Sequence, residues 1–300
     1  MYLTRPLIPY LNSLTKYPSI DTYHKLGEKG RLLDEVNHTF TGEVVLTEKV
    51  DGTNGRIVIT PWGEWLIGSR EEFFTASGDI VYNPMLGIVD ALRPVAGGIK
   101  ACPPPDTLLV FYFEVFGGGI GQYAKNYTTS KTEFGVRLFD VVRVDDVKTK
   151  LDWDREKIAS WRDHGGQFFL PEASIKSYAD MLGVERVPVI DILDAKDVPT
   201  SIAGMHEFLK VHAPGTKVKL DETGRGNAEG LVLRTRDRGT IAKARFEDYD
   251  RTARILAKEA AAKAPTKKAA PVKAATKAVA PVLPEQKTTQ RRYGPARRSG

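Results

Sequence analysis

Apolar residues follow two kinds of pattern along most of this chain, and the first kind predicts β-strands. The runs RIVIT and EWLIGS, at 56–60 and 64–69, flank a Pro-Trp-Gly turn and predict a β-hairpin. The run TLLVFYFEVF at 107–116 is too apolar for a half-exposed strand and predicts a buried one. Further strand-like runs are VRLFDVV at 136–142, EGLVLRT at 229–235 and TIAKAR at 240–245.

The second pattern, apolar residues at helical spacing among charged ones, lies between and after these strands. It predicts helices at 154–164, 174–182, 201–212 and 247–260. No internal repeat is visible. Strands and helices in this order predict an α+β domain with a pocket built from strands.

The composition changes near residue 257, where Ala, Lys and Pro make up more than half of the chain and aromatic or branched apolar residues become rare. From Ala257 to the end the chain carries eleven Lys or Arg and two Glu, a charge of +9 against +6 for the whole chain. Such a segment cannot bury enough surface to fold, so we predict a folded domain at 1–256 and a disordered basic tail at 257–300. The tail either solubilises the protein or binds nucleic acid non-specifically, and the sequence leaves both open.

Other features limit the class of protein. The chain has no apolar run of membrane-spanning length and no basic-then-apolar leader, so we expect a soluble cytoplasmic protein with no membrane partner. Cys102 is the only cysteine, which excludes disulfides within the chain and thiolate metal clusters. The five histidines show no metal-ligand spacing.

A lysine, a carboxylate and a glycine are packed together in the sequence EKVDGTN at 48–54, between two strand-like runs. A lysine becomes a nucleophile toward carbon or phosphorus when its amine is neutral, which burial or neighbouring cations favour. Gly52 would let the backbone come close to a ligand. Because Asp-Gly is also the commonest hairpin dipeptide, these residues alone leave open both a reactive Lys49 and an exposed hairpin turn.

Polar residues interrupt the strand-like runs downstream of Lys49, where a plain sheet would not need them. A carboxylate inside a buried strand is costly without a partner or a ligand, and alternate residues of a strand share one face. We expect these side chains to converge on a pocket for a nucleoside triphosphate and its metal ion. They are Arg70, Glu114, Asp140, Glu229 and the pair Lys243 and Arg245.

The order of these motifs resembles that of the covalent nucleotidyltransferases, which comprise ATP-dependent DNA and RNA ligases and mRNA capping enzymes. The sequence KVDG at 49–52 is similar to their nucleotidyl-lysine motif. The runs FYFEVFG, RLFDVV, EGLVLR and AKAR are similar to the third motif, the adjoining adenine-packing strand, and the fourth and fifth motifs. This resemblance implies a nucleotidyltransferase domain, the ATP-grasp-like adenylation fold of ligases, with antiparallel sheets around an ATP pocket.

Two features resemble the RNA ligase 2-like family within that superfamily, which seals nicks in duplex RNA. Asn54 lies five places after Lys49, where DNA ligases and capping enzymes usually carry Arg, and KYPSI at 16–20 looks like the family's N-terminal segment. Only 55 residues follow Arg245, too few beside the tail for the OB-fold that DNA ligases carry there. A DNA ligase or other polynucleotide nucleotidyltransferase, and a non-catalytic nucleic-acid-binding module, are the alternatives.

The resemblance implies an ATP-dependent RNA ligase that joins 3′-hydroxyl and 5′-phosphate ends of RNA, in nicked duplexes or at broken ends. Lys49 would carry AMP and pass it to the RNA, while Lys243 and Arg245 would neutralise the α-phosphate and help keep Lys49 deprotonated. Glu229 would bind Mg²⁺ or Mn²⁺. The residues implied to bind ATP are Glu48, Asp51, Asn54, Arg70, Glu114, Phe139 and Lys243, with Phe139 either on the adenine or in the core.

The chain departs from the family pattern in places. Asp51 stands where some RNA ligase 2 relatives have His, and Arg245 replaces the last Lys of the fifth motif, which changes the phosphate geometry. Many relatives carry a helical C-terminal domain, and we expect that it is absent here or replaced by the tail. Two polar loops are predicted near the pocket, GGGIGQ at 117–122 at its rim and DETGRGNAEG at 221–230, which we expect to order on RNA.

Overall fold

The computed structural model describes residues 3–78, 87–100, 102–121 and 123–263, and the disorder predicted for 264–300 lies outside this part. The strands are β1 (His24–Leu26), β2 (Leu32–Val36), β3 (Glu43–Lys49), β4 (Thr53–Ile59), β5 (Trp65–Ser69), β6 (Phe73–Ala76), β7 (Leu108–Gly117), β8 (Phe134–Val144), β9 (Phe168–Phe169), β10 (Val189–Asp194), β11 (Gly230–Thr235) and β12 (Ile241–Arg245). The α-helices are α1 (Ile8–Leu14), α2 (Ile88–Gly98), α3 (Val147–Leu151), α4 (Arg155–Asp163), α5 (Glu172–Leu182), α6 (Ile202–His212) and α7 (Phe246–Lys263).

Six strands form the larger of two main sheets, in the order β6-β5-β4-β7-β8-β9 with every pairing antiparallel. The β4–β5 hairpin and the buried β7 confirm the sequence prediction. On β7, Phe111 and Phe113 pack into the core beneath α2 and α5, whereas Val110 and Tyr112 pack into a second core on the opposite face. Because both faces are buried, this strand reads as a continuous apolar run.

Four strands form the second main sheet, in the order β10-β3-β11-β12, also antiparallel. One face is apolar, since Leu46 and Leu231 pack with Met205 and Leu209 of α6. The residues that alternate with them, among them Thr47, Val232 and Lys243, line a cavity on the other face. The two-residue period of the strands therefore separates a core face from a polar face in this sheet.

Helix α7 follows β12 directly and is buried only in its first half, at positions such as Tyr249 and Thr252. It continues to Lys263, past the domain boundary predicted after residue 256, although residues 257–262 are exposed. Arg31 and Glu259 form an ion pair of 3.3 Å on this extension. None of the helices in the described part of the chain is long and apolar enough to cross a membrane.

Candidate active site

A cavity of about 240 Å³ lies between the polar face of the four-stranded sheet and the six-stranded sheet. Most of the predicted site residues line it: Glu48, Lys49, Asn54, Arg70, Glu114, Phe139 and Lys243. The other three, Asp51, Glu229 and Arg245, line an adjoining cavity of about 770 Å³. The fold therefore brings all of these residues into one region of the protein, where they line two neighbouring cavities.

Lys49 ends β3, and the next three residues carry the chain from one main sheet to the other. β3 pairs with β10 and β11, whereas β4 pairs with β5 and β7, which excludes the hairpin interpretation of this turn. A Cβ on Gly52 would lie 2.3 Å from the carbonyl oxygen of Val115, so only glycine lets the turn pack on the backbone of β7. The close approach that Gly52 allows in this structure is to a strand, whereas the sequence predicted an approach to a ligand.

The Lys49 amine forms an ion pair with a carboxylate at the start of β11. Lys49 Nζ donates to Glu229 Oε2 at 2.6 Å. Burial acts to lower the pKa of Lys49, but the negative charges of Glu229, Glu114 and Asp51 outweigh it and raise the pKa above its ordinary value. This differs from the expectation that cations keep the lysine deprotonated, because in the absence of a nucleotide its nearest charged neighbours are carboxylates.

Glu114 is the carboxylate that interrupts the buried strand β7, and its partner is the turn after Lys49. Its Oε1 accepts a hydrogen bond of 3.0 Å from the backbone N–H of Gly52. Burial raises the pKa of Glu114 to about 7, although the Lys49 charge acts in the opposite direction. Glu114 therefore holds the lysine turn against the six-stranded sheet.

Asn54 and Lys243 present polar atoms that a ligand could satisfy. Asn54 pairs with Glu114 across β4 and β7, and its buried Oδ1 has no hydrogen-bond partner among the described residues. The side chain of Lys243 likewise forms no hydrogen bond or ion pair within them. Burial, followed by the charges of Arg245 and Lys49, lowers the pKa of Lys243. An unmet acceptor and an unpaired cation in one cavity fit a ribose and a phosphate.

The N-terminal segment KYPSI forms one wall of this cavity, through Tyr17, Pro18 and Ile20. Arg70 is held against the same segment, because its Nε donates to the carbonyl of Tyr17 at 3.1 Å and its Nη2 donates to Ser19 Oγ at 2.7 Å. The sequence resemblance had identified KYPSI as a family segment. In the structure this segment lies beside Arg70, the cation predicted to bind a phosphate.

Glu48 has a structural partner that the sequence did not reveal. One carboxylate oxygen accepts from the Thr216 hydroxyl and the other accepts from the Lys217 backbone N–H at 2.8 Å. Burial raises the pKa of Glu48, and these hydrogen bonds oppose that rise. The side chain thus anchors a distant loop beside the cavity, which is a different role from the predicted nucleotide contact.

Asp140 belongs to a buried ion network at the end of the cavity. It accepts from Tyr17 Oη at 2.6 Å, from Arg234 Nη1 at 3.3 Å and from Arg238 Nε at 3.1 Å. Arg234 extends the network to Glu172 at the start of α5. The sequence predicted a carboxylate that faces a pocket and needs a partner or a ligand; Asp140 lines the cavity, and cations of the chain itself are its partners.

Phe139 satisfies both interpretations that the sequence left open. Its ring packs edge-on against Tyr17, with centroids 5.1 Å apart and planes at 90°, and it joins a hydrophobic core. The same residue lines the cavity. It is therefore a core residue with a surface available to a base.

The larger cavity carries the carboxylates suited to a metal ion. Burial and the charge of Glu229 raise the pKa of Asp51 to about 6, although Lys49 and Arg245 lower it. A divalent cation would relieve this repulsion, and Mg²⁺ or Mn²⁺ prefers such oxygen ligands. Within the described ranges of the chain, no group of three His, Cys, Asp or Glu could hold a metal. The remaining ligands would therefore be water or phosphate oxygens.

Arg245 lies on the same face of β12 as Lys243, as predicted, but it lines the larger cavity. Its Nε and Nη2 donate to the two carboxylate oxygens of Asp248 at 2.8 and 3.0 Å. The ion pair with α7 fixes the guanidinium, so Lys243 is the less constrained cation of the two.

The family comparison matches residues 42–247 to the RNA ligase family, which is more than half of the chain and includes the lysine turn and both cavity-facing sheets. Ligases are enzymes. The matched range contains the motifs that the sequence analysis identified, from Lys49 to Arg245. The chain belongs to the RNA ligase family. The family resemblance stated from the sequence is thereby confirmed.

The chain is also similar in fold to solved RNA ligases. A Naegleria gruberi RNA ligase mutant with ATP and Mn is 16% identical at a TM-score of 0.48, over 79% of this chain and 62% of that one. An archaeal ATP-dependent RNA ligase is 17% identical at a TM-score of 0.42, over 81% of this chain and 51% of that one. The chain thus spans less than two thirds of the length of either. Comparison with curated proteins gives no match.

Proposed function

We propose that this chain is an ATP-dependent RNA ligase that joins 3′-hydroxyl and 5′-phosphate ends through an adenylate carried on Lys49. The observation that carries the proposal is the position of the lysine amine. Lys49 lines the smaller cavity, and its partner Glu229, 2.6 Å away, lines the larger one. A nucleophile at this junction can reach a nucleotide in one cavity and pass a group to a substrate in the other.

The first step requires the Lys49 amine to lose its proton to solvent and attack the α-phosphorus of ATP. An N–P bond forms as the P–O bond to pyrophosphate breaks. Lys243 offers a cation to the α-phosphate, and Asn54 offers its unmet acceptor to a ribose hydroxyl. Glu229 and Asp51 would hold Mg²⁺ or Mn²⁺, which supplies positive charge to the phosphate oxygens when it is bound.

Two further displacements complete the reaction. An oxygen of the RNA 5′-phosphate attacks the α-phosphorus, the N–P bond breaks, and the Lys49 amine regains a proton. The 3′-hydroxyl then loses its proton as its oxygen attacks the 5′-phosphorus of the RNA-adenylate. The P–O bond to AMP breaks, and the ends are joined.

Incubation with magnesium and α-labelled ATP or GTP tests the proposal. We expect label from ATP only, stable to base and lost in acid, on the wild type and not on Lys49→Ala or Lys49→Arg. Lys25→Ala, which removes an exposed lysine paired with Glu35, is the matched control and should keep the label. Label on Lys49→Ala would overturn the mechanism. Equal sealing of all-DNA and RNA-containing nicks would favour a DNA ligase instead.

A further inference from the structure

Two side chains accept hydrogen bonds from the backbone of the lysine turn, and the sequence analysis identified one of them. The Gly52 N–H donates to Glu114, as described above. The N–H of the preceding residue, Asp51, donates to the hydroxyl of Tyr127 at 2.6 Å. Tyr127 lies 76 residues further along the chain, in the sequence KNYTTS, and belongs to none of the identified motifs. Its hydroxyl nevertheless binds the turn two residues from the reacting lysine.

The Tyr127 ring is held in place by packing. It is fully buried, and its centroid lies 4.7 Å from that of Phe116 on β7. Both rings belong to a small core that also contains Val50, the residue next to the reactive lysine. Burial raises the pKa of the Tyr127 hydroxyl, although the hydrogen bond from the Asp51 N–H opposes this rise. A neutral hydroxyl on a buried ring therefore fixes the position of the Asp51 N–H.

The backbone around Tyr127 is bonded to the loop that follows α6 and leads to Glu229. The carbonyl oxygens of residues 125, 126 and 127 accept from the N–H groups of Arg225, Gly226 and Leu220 at 2.9, 2.9 and 3.0 Å. At Gly224 a Cβ would lie 2.6 Å from the Tyr127 carbonyl oxygen, so only glycine lets the loop pack this closely. Glu229 is the carboxylate that pairs with the Lys49 amine. The same loop thus leads to the partner of the amine and supports the residue that holds its turn.

The position of the Lys49 amine depends on this turn, because Lys49 is the last residue of β3 and the chain leaves the sheet directly after it. Attack on phosphorus needs the amine within a narrow range of positions, and a displacement of about 1 Å can lower a rate by about 100-fold. An acceptor that fixes the backbone two residues away limits such displacement. Loss of the hydroxyl would leave the Asp51 N–H without its partner and give the turn more freedom.

We propose that Tyr127 is a positioning residue, which orients the Lys49 amine by accepting a hydrogen bond from the Asp51 N–H. Tyr127 lines neither of the two cavities, so it acts through the turn and not by contact with a substrate. The inference rests on the proposed function for its catalytic meaning. It predicts an effect confined to the two displacements in which a bond to the Lys49 nitrogen forms or breaks. The third displacement, which joins the RNA ends, involves no bond to Lys49 and should be spared.

The kinetic test uses Tyr127→Phe, which removes the hydroxyl and keeps the buried ring. The rate of lysyl-adenylate formation at saturating ATP should fall about tenfold, as expected for one lost hydrogen-bond acceptor, while the ATP concentration for half-maximal rate stays unchanged. Joining of RNA ends that are already adenylylated, without ATP, should keep the wild-type rate. Tyr249→Phe is the matched control, because it removes the hydroxyl of another buried tyrosine, bonded to His24, and should change neither rate. An unchanged rate of adenylate formation, or an equal fall in both reactions, would overturn the inference.

Hydrogen exchange separates this inference from the proposed function. Amide exchange in peptides that cover the lysine turn is followed by mass spectrometry in the wild type and in the two Tyr→Phe variants. We expect severalfold faster exchange of the turn in Tyr127→Phe and no change there in Tyr249→Phe. If the wild type forms no lysyl adenylate but Tyr127→Phe still speeds exchange, the contact that holds the turn stands and the ligase proposal fails. A wild type that forms the adenylate, with unchanged exchange in Tyr127→Phe, would overturn the inference and leave the ligase proposal in place.

Discussion

The amine of Lys49 lies 2.6 Å from Oε2 of Glu229, and the two residues come from neighbouring strands whose register places Gly230 opposite Lys49. The pair lies where the two cavities meet, and Glu229 favours the charged form of the lysine by raising its pKa. A charged amine cannot attack phosphorus, so the pair must separate before reaction. In the proposed mechanism, a divalent ion on Glu229 would draw this carboxylate away from Lys49, so metal binding would also release the nucleophile.

The metal role of Glu229 is testable with an isosteric change. Glu229→Gln should lower the yield of lysyl adenylate and raise the magnesium concentration for half-maximal adenylylation about tenfold or more, since a ligand charge is lost. Glu247→Gln changes another carboxylate of the larger cavity and is the control, for which we expect an unchanged magnesium titration. An identical magnesium dependence in the wild type and Glu229→Gln would remove Glu229 from the metal site.

Glu114 should act by holding the lysine turn, through the hydrogen bond that it accepts from the Gly52 N–H. Glu114→Ala leaves that partly buried N–H without its acceptor, at a cost of about 1 kcal/mol or more, and should lower adenylylation about tenfold. Glu114→Gln keeps an acceptor oxygen and should retain more of the activity. The measurement is the rate of label transfer from ATP at saturating magnesium for the three proteins. Equal loss in Ala and Gln variants would show that the charge matters and the hydrogen bond does not.

Strands and turns that depend on local residue patterns could be predicted from the sequence. β7 and the β4–β5 hairpin follow from local apolar runs and a Pro-Trp-Gly turn. The sequence did not reveal α1, which has only seven residues, or α2, whose helical pattern Pro94 interrupts. β10 was missed as well, because its sequence VIDILD does not alternate between apolar and polar residues.

The site residues could be predicted, but not their partners. The turn alone left a reactive Lys49 and a hairpin open, and the ordered motifs downstream favoured the reactive lysine. Whether that turn joins two strands of one sheet or two separate sheets depends on long-range pairing, which no local pattern encodes. For the same reason Thr216, which bonds to Glu48 from 168 residues away, could not be foreseen. Burial of a carboxylate shows that a partner is needed and does not say which one.

The ion network around Asp140 should be a major source of stability. Asp140 is 1% exposed and accepts hydrogen bonds from Arg234 and Arg238, both of which are also buried. Asp140→Asn leaves these cations without their shared carboxylate, and we expect a loss of about 3–5 kcal/mol in the free energy of unfolding. Urea denaturation, followed by fluorescence, measures it.

An exposed ion pair supplies the comparison. Asp180 pairs with Lys176 one turn away on α5, at 2.8 Å, and both side chains are largely exposed. Asp180→Asn should cost about 0.5 kcal/mol or less. Similar losses for the two Asp→Asn variants would mean that the buried network contributes no more than a surface pair.

His24 should make stability depend on pH. The ring is buried, its Nε2–H donates to the Thr200 carbonyl at 2.9 Å, and its Nδ1 accepts from the Tyr249 hydroxyl at 2.8 Å. Burial lowers the pKa of His24, although the Thr200 carbonyl and Asp34 oppose this. The unfolded chain therefore binds a proton more readily than the folded one below pH of about 6.5. Stability due to His24 is present above that pH and is lost as pH falls toward the folded pKa.

Urea denaturation between pH 5 and 8 measures this effect. Below pH 6.5, the free energy of unfolding of the wild type should fall by up to about 1.4 kcal/mol per pH unit more than that of His24→Gln. His164→Gln, at an exposed position after α4, should follow the wild type. A wild type and a His24→Gln variant with parallel pH profiles would contradict the prediction.

The basic tail should contribute to RNA affinity and not to lysine adenylylation. A chain that ends at Lys263 keeps α7, the Arg31–Glu259 ion pair and both cavities, whose last lining residue is Arg254. It loses nine Lys or Arg and one Glu. If the tail neutralises four phosphates, log affinity should change by about 3 to 4 units per decade of salt, and truncation should flatten that slope. RNA binding is measured against salt concentration, with adenylylation in parallel.

A full-length variant with the nine cations changed to Gln is the matched control and should flatten the slope equally, because charge and not length releases counterions. Equal slopes for the wild type and the truncated chain would leave the tail as a solubilising appendage, and lost adenylylation would place part of the folded domain beyond Lys263.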